Sequence, residues 1–330
     1  MPYGLKPLED IVELCIISCW IKPKPVSLGI FAPPEYGKTE TLLQYAGCEG
    51  VRIISDATPY GISSHILPEI ASGRVRCIII ADLAKILNRG WRISNEVLSL
   101  LNVLIEEGVG GIYTPTIRFD PYSSGIIDLN KGKRVRCGCI IAAPIGLIEA
   151  RKETLTKYGF WSRILPFYYE YTEEDLLRAH EAIKEGKNPF KPKKIDLPKE
   201  DVEIILPKEE ADKLDPIVNA LRVLTGSETG FRLRWNLQQL SKAHAWKMGR
   251  DVVEEEDIRA VVSYAPFIHN PITGDECMYR ILRALPARSE EIVKELSGMY
   301  SRATIYRRLK KLKEMGIIRE TIKGYDIVLY

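Results

Sequence analysis

Residues 32–39 read Ala32-Pro33-Pro34-Glu35-Tyr36-Gly37-Lys38-Thr39, between an apolar run from Val26 to Phe31 and a helical pattern that begins near Lys38. A strand, a turn ending in Gly-Lys-Thr and a helix make a phosphate-binding loop. Backbone N–H groups wrap the anion, the lysine reaches the outer phosphate oxygens, and the hydroxyl ligates Mg²⁺. Gly37 lets the backbone approach the phosphate. Ala32 stands where the strict pattern has glycine, and a small residue can still make the turn. The bland alternative is a chance Gly-Lys-Thr in a loop, against which the strand-loop-helix context argues. The expected nucleotide-binding residues are Ala32, Pro33, Pro34, Glu35, Tyr36, Gly37, Lys38 and Thr39, with Thr41 on the helix that follows. ATP and Mg²⁺ are the implied cofactors.

Outward from this loop the chain alternates strands and helices. Val51–Ser55 reads as a second strand, followed by Asp56-Ala57-Thr58 and a helix from about Gly61. Arg76–Ala81 is almost uninterrupted isoleucine and ends at Asp82; Cys137–Ala143 is a fourth strand and Ile164–Tyr171 a fifth. Continuous apolar strands separated by helices predict a parallel sheet covered on both faces. Asp82, at its strand end, is placed to hold Mg²⁺ together with Thr39; the same side chain would also serve as a helix N-cap. Leu83 follows it, so no carboxylate stands there to polarise an attacking water. Asp56 is the substitute expected from the neighbouring strand end, where ligands of open α/β sheets gather. Its competing role is an Asx-turn before Thr58-Pro59.

The second half changes character. Residues 186–200 are rich in proline and lysine and read as a linker; helical patterns then run from Glu209 to about Tyr264. From Tyr279 onward the net charge is +6, against −3 for the rest of the chain. The order is three short helices, the second and third opened by Ser289 and Ser301 as caps, then a hairpin around Lys323-Gly324. That order spells a winged helix. Its third helix carries Arg302, Thr304, Tyr306, Arg307, Lys310, Lys311 and Lys313 outward and Ile305, Leu309 and Leu312 inward. This split, with Lys323 in the hairpin, is what a recognition helix in a major groove requires. DNA is the implied partner; a winged helix used for protein contacts is the alternative.

Composition narrows the rest. The chain has 330 residues and a net charge of +3, with ordinary apolar and charged fractions. The first apolar stretch, Ile11 to Ile21, includes Glu13 and is shorter than a membrane span needs, so no membrane role and a cytoplasmic location are expected. Seven cysteines without ligand spacing and four histidines speak against zinc. Cys137 and Cys139 read as one face of a strand. Abundant Ile, Lys and Glu with little Gln fit a thermophile.

These motifs together resemble those of AAA+ ATPases, and of the minichromosome maintenance helicases in particular. Cys139-Ile140-Ile141-Ala142-Ala143-Pro144 is similar to that family's sensor 1 strand, with Ala143 in place of the usual Asn. Phe160-Trp161-Ser162-Arg163-Ile164 is similar to its arginine-finger segment. Phe231-Arg232-Leu233-Arg234-Trp235, Ala243-His244-Ala245 and Arg250-Asp251-Val252-Val253 are similar to its lid. The resemblance implies an α/β P-loop AAA+ core over residues 1–185, a linker over 186–204, an α-helical lid over 205–270 and a winged-helix domain over 275–330. It further implies Arg163 as a finger entering a neighbouring subunit, Arg232 as sensor 2 (Arg234 as alternate), and a homo-oligomer, a hexameric ring. The family pairs its strand-end Asp with Glu, which Leu83 replaces. The basic stretch with Arg118, Lys131, Lys133, Arg134 and Arg136 falls where threading members carry pore hairpins. The implied function is an ATP-dependent DNA motor or DNA-remodelling ATPase. The rival is an ATP-gated DNA-binding switch with weak hydrolysis, and a third reading is a protein scaffold that binds ATP structurally.

Overall fold

The computed structural model describes residues 5–108, 117–120, 125–128, 136–187, 191–322 and 324–327, with backbone alone for 117–120 and 125–128. The chain forms two compact units, one of residues 1–165 with 169–204, the other of 166–168 with 205–330.

The first unit opens with α1 (Lys6–Ser18), whose Pro7 occupies the first helical turn, where a missing N–H costs nothing. Then follow β1 (Leu28–Ala32), α2 (Lys38–Leu43), β2 (Val51–Ile54), α3 (Pro59–Gly61), a π turn at Ile62–Ile66, α4 (Leu67–Ala71) and β3 (Cys77–Ile80). After these come α5 (Leu83–Leu87), α6 (Trp91–Glu106), β4 (Ile117–Asp120), β5 (Gly125–Asp128), β6 (Gly138–Pro144), α7 (Ile145–Ala150), α8 (Lys152–Lys157), β7 (Leu165–Tyr168) and α9 (Glu173–Lys184). Five strands form one parallel sheet in the order β2-β3-β6-β1-β7, as in P-loop-like folds. Leu28 pairs with Ile140 and Ala32 with Pro144; Cys77 pairs with Gly138, and Ile54 with Ile80. The isoleucine run of β3 is buried throughout, as are β1 and β7. The edge strand β2 alternates instead, and its exposed Arg52 pairs with Glu69 of α4. β4 and β5 form a separate antiparallel pair within the stretch expected to contain a hairpin.

Residues 191–204, expected as linker, are tied down onto the first unit. Lys193 N–H donates to the Gln44 carbonyl (2.8 Å), and Val202 exchanges backbone bonds with Trp20 and Lys22.

The second unit holds α10 (Lys208–Asp212), α11 (Asp215–Thr225), α12 (Phe231–Lys247) and α13 (Glu255–Val262), then α14 (Glu276–Arg283), α15 (Ser289–Leu296), α16 (Arg302–Glu314) and the hairpin β8 (Ile318–Thr321) and β9 (Gly324–Ile327). Asp257, fully buried in α13, explains two of the lid-like sequence pieces. It accepts from His244 Nδ1 (2.6 Å), from Arg250 (2.7 Å) and from the Glu254 N–H (2.8 Å). A buried carboxylate needs such partners, so His244 and Arg250 are structural. Ser301 caps α16 as expected, accepting from the Thr304 N–H. Ser289 does not cap α15. The cap position is Arg288, one residue earlier, whose N–H is taken by Glu291.

Candidate nucleotide site

β1 stops at Ala32 and α2 starts at Lys38, so residues 33–37 make the whole connection. Two of them are left-handed, Glu35 at φ 66° and Gly37 at φ 69°. Gly37 takes this conformation freely. Glu35 is the one non-glycine residue with positive φ among the described residues, and holding it there costs on the order of 1 kcal/mol. Left-handed residues within a tight turn bring successive N–H groups to one side, which is the shape that receives an anion.

Lys38 is buried at the base of this turn. Its Nζ donates to the carbonyl oxygens of Ala32 (3.0 Å) and Pro33 (2.6 Å), and it has no ion pair among the described residues. Burial pushes the ammonium down to about 8, while the charges of Asp82 and Glu40 act in the opposite direction. A desolvated cation held only by carbonyl oxygens favours an incoming anion. Thr39 Oγ1 donates to the Ala81 carbonyl at 3.3 Å, which sets the hydroxyl beside the end of β3. Asp82 does cap α5, with Oδ1 accepting from the Ala84 N–H at 3.0 Å. A carboxylate has further lone pairs, so this cap and a metal contact can coexist. Thus Lys38, Thr39 and Asp82 come together. Thr41 does not join them: its hydroxyl donates to the Gly37 carbonyl (3.0 Å) within α2. Pro34 and Glu35 are exposed on the loop's outer side.

Each remaining sequence candidate has its own surroundings. Leu83 is fully buried under the sheet end, so the position after Asp82 belongs to the core. Asp56 lies beyond β2, level with Asp82 beyond β3 according to the Ile54–Ile80 pairing. Both its oxygens are engaged by Arg89, and Oδ1 also accepts from the Ala57 N–H. The Arg89 hydrogen bond holds the Asp56 carboxyl below the usual carboxylate range. A cleft of about 220 Å³ opens there, lined by Ile54, Asp56, Thr58, Ile62, Ile66 and Arg89. β6, between β1 and β3, ends in Ala142-Ala143-Pro144, which offers no polar side chain at its tip. Arg163 folds back on its own loop, donating to the carbonyl oxygens of Tyr158 (3.2 Å) and Gly159 (2.8 Å). Arg232 is exposed in the first turn of α12, and Arg234 pairs with Asp215. Arg136 donates to the Pro23 carbonyl at the N-terminal end of β6, the end remote from residues 33–37. Only the backbone of Arg118 is described, and Lys131, Lys133, Arg134 and Lys323 lie outside the described residues.

Sequence reasoning missed three residues. Arg89 binds Asp56 across 33 positions, a pairing that no local pattern signals. Tyr169 and Tyr171, just past β7, close on the loop. Tyr169 Oη donates to the Tyr36 carbonyl at 2.6 Å, and the rings of Tyr36 and Tyr171 stack with centroids 4.7 Å apart. The signal available was the run Phe167-Tyr168-Tyr169-Glu170-Tyr171, too aromatic for an ordinary strand exit.

Comparison with known protein families finds no model that matches this chain, and comparison with curated proteins finds no match.

Proposed function

We propose that the chain binds MgATP at residues 32–39 and couples it to DNA held at its C-terminal helices, as an oligomeric AAA+ ATPase of the DNA-motor or DNA-remodelling kind. The observation that carries the reading is the buried Lys38, held by carbonyl oxygens with no ion pair among the described residues, at the base of a turn with left-handed residues at 35 and 37, next to Thr39 and Asp82. In this reading the N–H groups of the loop and the Lys38 ammonium hold the phosphates, and Thr39 and Asp82 hold Mg²⁺. The metal, when bound, neutralises phosphate charge. Arg163 exchanges its carbonyl partners for the γ-phosphate of a neighbouring subunit, and Arg232 reaches the nucleotide as sensor 2.

The DNA half of the proposal rests on α14, α15, α16 and the β8–β9 hairpin, the order of a winged helix. Arg302, Tyr306, Arg307, Lys310 and Lys311 are exposed on α16, while Ile305, Leu309 and Leu312 are buried. Thr304 is half-buried beside the Ser301 cap.

A second reading, an ATP-gated DNA-binding switch with weak hydrolysis, draws support from the water-orienting side. Leu83 is buried, Asp56 is engaged by Arg89, and Ala143 is apolar. ATP turnover measured with and without DNA separates the two. A motor hydrolyses ATP faster on DNA, whereas a switch changes DNA affinity with ATP and turns over little. A chain whose MgATP affinity is undetectable, or unchanged by Lys38→Ala, is neither.

A further inference from the structure

The phosphate loop contains one peptide that nothing in its own sequence fixes. The Tyr36–Gly37 peptide precedes a glycine, and glycine accepts positive and negative φ almost equally. Flipping this peptide would turn the Gly37 N–H from one face of the loop to the other at little local cost. Because the peptide is planar and trans, its N–H and its carbonyl point in opposite directions. Whatever anchors the Tyr36 carbonyl therefore sets the direction of the Gly37 N–H.

The anchor is present. Tyr169 is fully buried, its N–H bonds to the Phe31 carbonyl (3.2 Å) at the end of β1, and its Oη donates to the Tyr36 carbonyl at 2.6 Å. Tyr171 adds a longer contact from Oη to the same oxygen (3.5 Å) and stacks on the Tyr36 ring at 17°. The Tyr169 ring lies 6.2 Å from Tyr36 and 6.0 Å from Tyr171, so the three form one cluster. Burial raises both phenols above their usual range, so they remain donors.

We propose that Tyr169, supported by Tyr171, is a positioning residue for the phosphate loop: its hydroxyl locks the Tyr36–Gly37 peptide with the Gly37 N–H turned toward the bound phosphates. The ligand class is a polyphosphate chain, and the proposal rests on the nucleotide reading above. It adds a part of the site contributed by a residue 133 positions downstream.

The test is Tyr169→Phe, which keeps the ring and removes the hydroxyl. Two quantities are read: affinity for MgATP and for inorganic tripolyphosphate, and the Gly37 amide signal in an NMR spectrum of glycine-labelled protein. The expected result is a roughly tenfold loss for both ligands alike, the effect of one buried hydrogen bond, together with a doubled or shifted Gly37 amide. A merely structural hydroxyl would lower the melting temperature and leave the affinity of the folded protein alone. Wild-type affinity with an unchanged Gly37 amide overturns the proposal. If the wild type binds neither ligand, the nucleotide reading fails by itself. A doubled amide in Tyr169→Phe then still upholds the lock, and an unchanged one still overturns it. Should Tyr169→Phe not fold, Tyr171→Leu at the half-buried stack carries the same two readings, and wild-type values in both overturn the proposal.

Discussion

Lys38 carries its charge in a buried place, and under the proposed nucleotide reading this ties ATP affinity to pH. Its ammonium titrates near 8, well below the ordinary ~10.4 of lysine. Phosphate binds the charged form, so ATP affinity should fall as pH rises through about 8, and binding above that value should take up a proton. Titration calorimetry in buffers of different ionisation heat measures the uptake. Stability moves the other way. Below 8 the folded protein bears the cost of burying a charge, and that cost is relieved as pH rises from 8 toward the unfolded value, because the unfolded chain binds the extra proton there. Opposite trends in affinity and stability are the signature; parallel trends would remove Lys38 from the anion site. The acids nearby are also separable. Asp56→Asn should keep ATP affinity and melting behaviour, since an exposed ion pair contributes ~0–1 kcal/mol, and should lose whatever turnover the wild type shows. A turnover equal to wild type sends the search to Glu35 or Glu96. Leu83→Glu should not restore an acid to the site. Leu83 is fully buried, so the new carboxylate enters the core at a cost of several kcal/mol. Urea unfolding should show the loss, with no gain in ATP turnover.

Between residues and the whole chain, the elements that hold the site differ in how far their sequence announces them. The strands were legible because parallel strands covered on both faces must be apolar throughout, as Cys77–Ile80 is. The strand-turn-helix connection from β1 to α2 was legible because an apolar run, a glycine suited to positive φ and a helical pattern follow one another. The packing that completes it was not, because Tyr36–Tyr169 and Asp56–Arg89 are set by tertiary contact between distant segments. The capping serine of α15 was misplaced by a residue because a backbone N–H held by Glu291 starts that helix as well as a hydroxyl does. Arg163 lies between these cases. Its sequence context suggests a finger, yet its guanidinium is held by carbonyls of its own turn. Arg163→Ala should therefore show two effects: a stability loss of about 1 kcal/mol from the missing hydrogen bonds, and, if it acts across subunits, at least ~10³-fold slower turnover with ATP affinity intact. A mixture with Lys38→Ala should recover activity, since each variant spoils a different half of a shared site. A mixture as inactive as either parent excludes action in trans.

For the molecule as a whole, the basic C-terminal segment cannot be removed cleanly. Cutting after Asn270 would remove Asp275, whose N–H donates to the Val223 carbonyl (3.2 Å), and strip Tyr279 from His269, whose rings stack 4.1 Å apart. Charge reversal is the better experiment. Arg307, Lys310 and Lys311 changed to Glu should leave the unfolding transition in place, abolish most DNA affinity at moderate salt and flatten its salt dependence by about one counterion per lost phosphate contact. Full affinity in that variant would move the DNA contact elsewhere. No helix among the described residues is long and apolar enough to cross a membrane. The sheet order carries one more consequence, which concerns synthesis. β1 leads into the proposed phosphate loop, and both its neighbours, β6 and β7, lie more than a hundred residues downstream. While the chain emerges from a ribosome, the loop-bearing strand waits with unpaired edges until residues 138–168 appear. Contacts so distant in sequence slow folding and leave apolar strands open to wrong partners. Chains arrested before β6 should aggregate or bind chaperones, and ATP could not rescue them, because the lysine would still lack its pocket.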